Sequence, residues 1–291
     1  MDNKDFSRYW NRESANEEML REEKFPLVDI QTTLTWIKIK KYLDQYNISS
    51  ILDAGAGVGR YSLPLAKFGY DVTHLDISPY MNRIAEKTAE SEEIKNIKIV
   101  EGDISDLSMY NDRSYDFVIS FDAPISYCYP NQYKALEEIL RVCDKIAIIM
   151  VSSRSGVLPF YIDFDLAGDY KPAKYPKSEN FIATKSILEN GVEIWPEKIE
   201  KFLNDTGKDA PKDYSFTVTE LKQFFSNSDF EIVEIGGPGA LARSIKSENL
   251  DLIRSDDRLF NEFIGFSLNY DFQDETCGMG AVNTMIIVKR K

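Results

Sequence analysis

The sequence predicts an α/β protein whose parallel β-sheet is covered by helices on both faces. Three observations support this prediction. Short apolar runs alternate with helix-compatible stretches from residue 48 to residue 151. These runs are continuously apolar, which is typical of strands buried on both faces. The chain has 291 residues and is 43% hydrophobic, so it can bury a sizeable core.

The first strand is followed by a glycine-rich turn. An apolar run ends at Asp53, and residues 61–68 are compatible with a helix. Between them, glycines occupy alternate positions: Gly55, Gly57 and Gly59. Glycine tolerates positive φ angles and leaves no Cβ between the backbone and a ligand, and a helix start offers free N–H groups. The turn is therefore predicted to hold a small polar ligand.

The rest of the chain supplies the other strands and the helices that cover the sheet. Strands are predicted at residues 71–77, 97–101, 115–121, 145–151, 230–235 and 281–288. Helices are predicted near residues 29–46, 79–93, 131–142 and 246–265. Two further signals mark helix starts. Ser78 is an N-cap followed by Pro79 at the first helical position, and Thr217 with Glu220 forms a capping box.

The alternation of strands and helices stops at residue 152. Residues 152–214 are rich in glycine, proline and aromatic residues, and a structureless loop of that length is unusual in a compact domain. We expect an insertion with its own short elements that acts as a lid. The predicted division is an N-terminal helical segment or flap (1–47), a ligand-binding core (48–151), the inserted lid (152–214) and the C-terminal part of the core sheet (215–291).

Charge and cysteine usage limit the classes of partner. Lys and Arg total 35 against 48 Asp and Glu, a formal net charge of −13, which disfavours nucleic acid and anionic membranes as partners. The 3 cysteines have no paired spacing, which indicates a reducing compartment. The N-terminus has no apolar signal core, and no run approaches the roughly 18 apolar residues of a membrane span. These features predict a cytoplasmic protein without a metal site and leave its oligomeric state open.

Acidic residues at strand ends narrow the choice of ligand. Dinucleotide-binding turns read G-x-G-x-x-G, whereas this turn reads G-x-G-x-G and follows Asp53. A carboxylate at that place disfavours a pyrophosphate and suits a cationic amine. Asp76 ends the second strand, where it can accept both ribose hydroxyls, and Asp103 follows the third, where it can accept an adenine amino group. A nicotinamide enzyme is the weakest alternative.

Residues 50–124 resemble the core motifs of the class I S-adenosylmethionine-dependent methyltransferases. The resemblance implies a Rossmann-like seven-stranded sheet that is mostly parallel, with an antiparallel last strand. It also implies S-adenosylmethionine as the cofactor. The glycine turn would cradle its amino-acid part, Asp76 with Ile77 its ribose, and Asp103 with Ile104 its adenine. Asp122, at the end of the fourth strand, matches the position that faces the methyl donor.

More narrowly, the chain is similar to the small-molecule methyltransferases that act on menaquinone and ubiquinone precursors. The similar stretches are Asp122–Tyr127 and Tyr133–Arg141. The resemblance implies in-line methyl transfer, in which the protein mainly aligns the acceptor and excludes water. Asp122 and Tyr127 are candidate catalytic residues, and these residues are candidates to line the acceptor site: Tyr9, Trp10, Tyr129 and Tyr161.

The role of His74 and two other hypotheses for the function also follow from the sequence. His74 lies inside the second strand, where a core position is favoured over a catalytic base. A methyltransferase that acts on RNA or protein is the second hypothesis for the function. A third is a protein that binds S-adenosylmethionine without catalysis.

Overall fold

A computed structural model describes Trp10 and residues 12–167, 181–206, 211–273 and 281–291 of the chain. Seven strands form one sheet in the order β3-β2-β1-β4-β5-β7-β6. Their bounds are β1 Ser50–Ala54, β2 Asp71–Asp76, β3 Ile97–Glu101, β4 Tyr115–Ser120, β5 Cys143–Ser152, β6 Phe230–Gly236 and β7 Asn283–Arg290. Strand β7 runs antiparallel to both its neighbours, while the pairings among β1 to β5 are parallel. The predicted fold class is confirmed.

Helices cover the sheet and extend beyond it. They are α1 Arg12–Met19, α2 Arg21–Lys24, α3 Pro26–Gln45, α4 Ser62–Lys67, α5 Pro79–Ser91, α6 Gln132–Val142, α7 Arg154–Ala167, α8 Ile182–Asn190, α9 Glu197–Thr206, α10 Val218–Ser226, α11 Ala240–Arg243, α12 Ser247–Arg254 and α13 Asp257–Tyr270. A 3₁₀ turn covers Ser126–Cys128. Within the described ranges, no helix is both long and apolar enough to cross a membrane.

Local sequence signals explain where several helices begin. The Ser78 side chain accepts a hydrogen bond from the Met81 N–H, with Pro79 at the first position of α5. Thr217 and Glu220 form the predicted capping box of α10. Residues 246–265, predicted to be helical, are divided between two helices, α12 and α13. Asp256 accepts hydrogen bonds from the N–H groups of Arg258 and Leu259, so this carboxylate starts a second helix, α13, where the first has ended.

The core lies on both faces of the sheet. Successive strand residues point to opposite faces. In β4, Val118 therefore packs into one apolar cluster, while Phe117 and Ile119 pack into the other. All three side chains are fully buried, which accounts for the unbroken apolar runs in the sequence.

The strand order places the functional residues at one edge of the sheet. From β1 the chain moves outward to β2 and β3, and it then returns to β4 on the other side of β1. Ligands of open α/β sheets bind where the order reverses in this way, beyond the carboxyl ends of the strands. The acids predicted from the sequence lie at that edge. The four-part division of the chain stays a prediction.

Candidate active site

A cavity of about 790 Å³ opens at this edge. That volume falls in the range of roughly 300–1,000 Å³ that small-molecule sites occupy. One end is lined by predicted cofactor residues: Asp53, Gly55, Gly57, Asp76, Ile77, Asp103 and Ile104. The rest of the lining comes from three other segments of the chain: Trp10, Glu18, Arg21, Asp122, Tyr127, Tyr129, Glu200, Asn204 and Lys212. The cavity thus joins the sheet edge to the N-terminal helices and to the insertion.

The glycine turn has the backbone that only glycine adopts easily. Gly55 has φ +82°, and a Cβ there would lie 2.5 Å from the ring of Pro124, so the turn and the loop after β4 approach closely. Gly57 has φ +57°, and a Cβ there would meet nothing within 4 Å. Because Gly57 lines the cavity, it leaves the backbone open to a ligand.

Gly59 contributes to the turn in a different way. Its N–H donates to the Ala56 carbonyl at 3.0 Å, and a Cβ would lie 2.7 Å from the Leu63 side chain. Gly59 is not among the residues that line the cavity. It therefore allows the close packing of the turn on helix α4.

Asp53 is a buried carboxylate that lacks a partner for one oxygen. Its side chain is 1% exposed, and Oδ2 has no hydrogen-bond partner among the described residues. Burial raises the pKa of Asp53 to about 8, and the nearby carboxylate of Asp76 adds to the effect. A cationic ammonium group would supply both the missing charge and the missing donor, so this end of the cavity fits the amino-acid part of S-adenosylmethionine.

Asp76 joins strand β2 to the glycine turn. Its Oδ2 accepts from the Gly57 N–H and its Oδ1 from the Ser78 N–H, each at 2.8 Å. Burial raises the pKa of Asp76 to about 6, although both hydrogen bonds oppose that change. Each carboxylate oxygen can accept a second bond, so the group can still receive ribose hydroxyls. The sequence did not reveal its hydrogen bond to Gly57.

The loop after β3 has the features expected for an adenine site. Asp103 accepts a hydrogen bond from the Ser105 N–H at 2.8 Å, which fixes one carboxylate oxygen. Ile104 is buried and lies next to it in the cavity wall. Ile77, from the loop after β2, is a third member of this wall. A polar acceptor between apolar side chains suits a flat base with an amino group.

Asp122 lies at the junction of the two ends of the cavity. Asp122 and Ala123 have φ angles of +60° and +62°, and this sparsely populated conformation turns the chain sharply after β4. The Asp122 Oδ2 lies 3.3 Å from Arg21 Nη1 and 4.0 Å from Arg60 Nη1. Sequence reasoning missed both arginines. Arg60 directly follows the last glycine of the turn, which is the one signal that could have found it.

The far end of the cavity combines aromatic and charged side chains. The rings of Trp10 and Tyr127 meet edge to face at 5.6 Å. Tyr129 stacks on Tyr214 with ring centroids 6.2 Å apart. Lys212, from the insertion, lies 3.4 Å from Glu200 of α9. These side chains could surround an acceptor with apolar faces and polar edges.

One predicted acceptor residue, Tyr161, does not line this cavity. Tyr161 packs with Val157, Ala183 and Ile187 in the core of the insertion, and it is not among the lining residues. Helix α7 turns its ring inward, so the expected contact of Tyr161 with an acceptor has no support here. Tyr9 lies outside the described residues.

His74 is a core residue, as predicted. It is fully buried in β2, and its Nδ1 lies 2.8 Å from the Ser62 Oγ. Burial lowers the pKa of His74 to about 4. A neutral, enclosed imidazole between strand β2 and helix α4 acts in packing.

The sequence is similar to known methyltransferases. The family profile described as a methyltransferase domain matches residues 51–145. A putative methyltransferase of Geobacillus sp. (strain WCH70) is 33% identical over an alignment of 218 positions, gaps included, that covers 68% of this chain and 81% of that protein. A magnesium-protoporphyrin O-methyltransferase of Rhodobacter capsulatus is 24% identical over 152 residues, 52% of this chain. That match spans 66% of the Rhodobacter protein, just under two thirds of its length.

Solved structures share the fold. The magnesium protoporphyrin IX methyltransferase of Synechocystis PCC 6803 with bound S-adenosylhomocysteine has a TM-score of 0.57 and 16% identity, with 100% of both chains covered. An S-adenosylmethionine-dependent methyltransferase of Clostridium acetobutylicum has a TM-score of 0.56 and 12% identity, with 99% of this chain and 98% of the other covered. The match to the Geobacillus protein covers most of the chain, and the acid–glycine turn fits the cofactor. The chain therefore belongs to the class I S-adenosylmethionine-dependent methyltransferases.

Proposed function

We propose that this protein transfers the methyl group of S-adenosylmethionine to a small-molecule acceptor in the outer end of the cavity. The observation that carries the proposal is the continuity of the cavity. It runs from the carboxylates of Asp53 and Asp76 to Lys212 of the insertion. One ligand at the sheet edge and a second beneath the insertion would therefore share one enclosure.

The proposed cofactor contacts follow from the carboxylates that line the cavity. When bound, S-adenosylmethionine supplies an already activated methyl group. Asp53 would accept from its ammonium group, Asp76 from the ribose hydroxyls and Asp103 from the adenine amino group. The glycine turn would leave room for the backbone of the amino-acid part, since a Cβ at Gly57 would protrude into open space.

The proposed acceptor contacts lie beyond Asp122. Tyr127 and Asp122 line the cavity from the loop after β4. We expect both to contact an acceptor, and the carboxylate of Asp122 to receive its proton where one must leave. Trp10 and Tyr129 would pack against its apolar part. With an activated donor, alignment and exclusion of water are the main contributions of these side chains.

The names of the relatives guide the choice of acceptors to test. The Rhodobacter relative is named as an O-methyltransferase, which supports testing oxygen acceptors first. We do not expect a nucleic-acid acceptor, because the formal net charge of the chain is −13. The cytoplasmic location also stays a prediction.

The test combines cofactor binding with turnover. Calorimetry should detect binding of S-adenosylhomocysteine, and a coupled assay for its formation should respond to at least one member of a panel of small hydroxyl and carboxylate compounds. Separate arms contain RNA and unfolded protein. Turnover in one of those arms alone would overturn the small-molecule proposal, and binding without turnover in any arm would favour a non-catalytic cofactor-binding protein.

A further inference from the structure

We infer that Arg60 is a positioning residue that fastens the N-terminal helices over the bound cofactor and so sets how fast the cofactor leaves. Helices α1 and α2, residues 12–24, are called the strap below. This inference rests on the proposed placement of the cofactor. It goes beyond the proposed function because it concerns release of the cofactor rather than the acceptor.

The guanidinium of Arg60 contacts the strap at several points. Its Nη2 donates to the Glu18 carbonyl at 3.0 Å and lies 3.4 Å from the Glu18 carboxylate. Its Nε lies 3.4 Å from the Glu22 carboxylate. The side chain of Arg60 is 13% exposed and that of Glu22 is 39% exposed, so these pairs are partly open to solvent and to screening by salt. One arginine of the glycine turn therefore holds two turns of the strap.

A second charge pair connects the strap to the loop after β4. Arg21 of α2 lies 3.3 Å from Asp122 and 3.4 Å from Glu18. Burial opposes the charge on Arg21, but these two carboxylates outweigh it and raise the pKa of Arg21. Just before the strap, the Trp10 carbonyl accepts from the Ser78 hydroxyl at 2.6 Å. The strap therefore contacts two loops that border the proposed cofactor site, and Trp10 just before it contacts a third.

The strap has little apolar anchorage. Among the side chains described in α1 and α2, only that of Ala15 is buried. Met19 is 56% exposed, and Phe25, directly after the strap, is 55% exposed. Segments with few buried apolar contacts open at low free-energy cost. Opening of the strap should therefore be governed by its charge pairs.

The strap forms part of the wall of the cavity. Glu18 and Arg21 line it together with residues of the glycine turn, and Glu18 contacts Arg60 of that turn. A ligand that extends from Asp53 to Asp103 is covered on that side by the strap. Its departure then requires the contacts of Arg60 to break, which couples the lifetime of those contacts to the lifetime of the complex.

The test measures dissociation of S-adenosylhomocysteine from the full-length protein by stopped-flow displacement. Arg60→Ala should raise the dissociation rate about tenfold, since a charge-assisted contact of this kind is worth about a factor of ten. Glu22→Gln changes only the strap side and does not line the cavity, so it should raise the rate by a smaller factor. Arg60→Lys should restore part of the lifetime. Arg258→Ala, an exposed arginine on α13, is the matched control.

Two further measurements separate positioning from direct contact with the cofactor. In the double variant Arg60→Ala/Glu22→Gln, the effects should be less than additive, because both changes break one contact. Salt should accelerate release from the wild type more than from Arg60→Ala, since screening weakens the same pairs. Additive effects, or a salt dependence that the substitution leaves unchanged, would overturn the inference. Failure of the wild type to bind S-adenosylhomocysteine would instead count against the proposed function.

Discussion

The two ends of the cavity are built in different ways. The cofactor end comes from residues 53–104, a stretch in which β1, β2 and β3 each deliver an acid to the same sheet edge. The acceptor end gathers side chains from the loop after β4 and from the insertion. The first end is fixed by hydrogen bonds in the loops that follow these strands, and the second by contacts between segments far apart in the chain. This difference predicts that substitutions at the cofactor end change the affinity for the cofactor strongly. Substitutions at the acceptor end should have smaller effects.

Asp76→Ala should have the largest effect. It removes the acceptor for the Gly57 and Ser78 N–H groups and the proposed partner of the ribose. We expect the affinity for S-adenosylhomocysteine to fall by about 2–3 kcal/mol. Calorimetry measures this directly. Asp71→Ala, an exposed acid at the start of the same strand, is the control and should bind as the wild type does.

An Asp76→Ala protein that keeps its affinity would contradict the assignment of the ribose site. A loss of folding alone is recognised by its thermal unfolding temperature. Asp76→Asn retains an acceptor oxygen and the shape of the side chain. It should fold better than Asp76→Ala, while still binding the cofactor more weakly than the wild type does.

The pH dependence of cofactor binding tests Asp53. Its pKa in the free protein is raised to about 8 by burial, so the carboxyl group carries a proton at neutral pH. An ammonium group favours the ionised form, so binding releases that proton. The affinity for S-adenosylhomocysteine should therefore rise between pH 6 and pH 8, by at most about tenfold per pH unit. Calorimetry in buffers of different ionisation enthalpy should detect the released proton.

Asp53→Asn supplies the comparison for this experiment. The amide has the same shape as the carboxyl group but does not titrate. The rise in affinity for S-adenosylhomocysteine between pH 6 and pH 8 should therefore disappear. A wild-type affinity that is flat from pH 6 to pH 8 would exclude a protonated Asp53 that ionises on binding. Asp76, with a pKa raised to about 6, would still add a shallow dependence below that range.

The two ends of the cavity also differ in how well they could be predicted from the sequence. The strand ends, the glycine turn and the acids Asp53, Asp76 and Asp103 are local features, so the fold class and one end of the cavity could be predicted. Arg21 and Asp122 are 101 positions apart in the chain, so no local sequence pattern predicts that they pair. Tyr161 shows the opposite case. Aromatic residues in an insertion can face a ligand or the insertion's own core, and only the packing of α7 decides between them.

Substitutions of Tyr127 and Tyr161 test which aromatic side chains contact the acceptor, and they have the smallest expected effects. Tyr127 lines the cavity, so Tyr127→Phe should lower kcat/KM for the first acceptor that gives turnover by about threefold to tenfold, the effect of about one hydrogen bond. The affinity for S-adenosylhomocysteine should remain unchanged.

Tyr161 lies in the core of the insertion, where its hydroxyl bonds to Glu193 and burial raises its pKa. Tyr161→Phe should therefore lower thermal stability with no change in kcat/KM. If Tyr161→Phe lowered kcat/KM while Tyr127→Phe left it intact, the acceptor would lie deeper beneath the insertion than the described cavity. The contrast between the two ends would then need to include the core of the insertion.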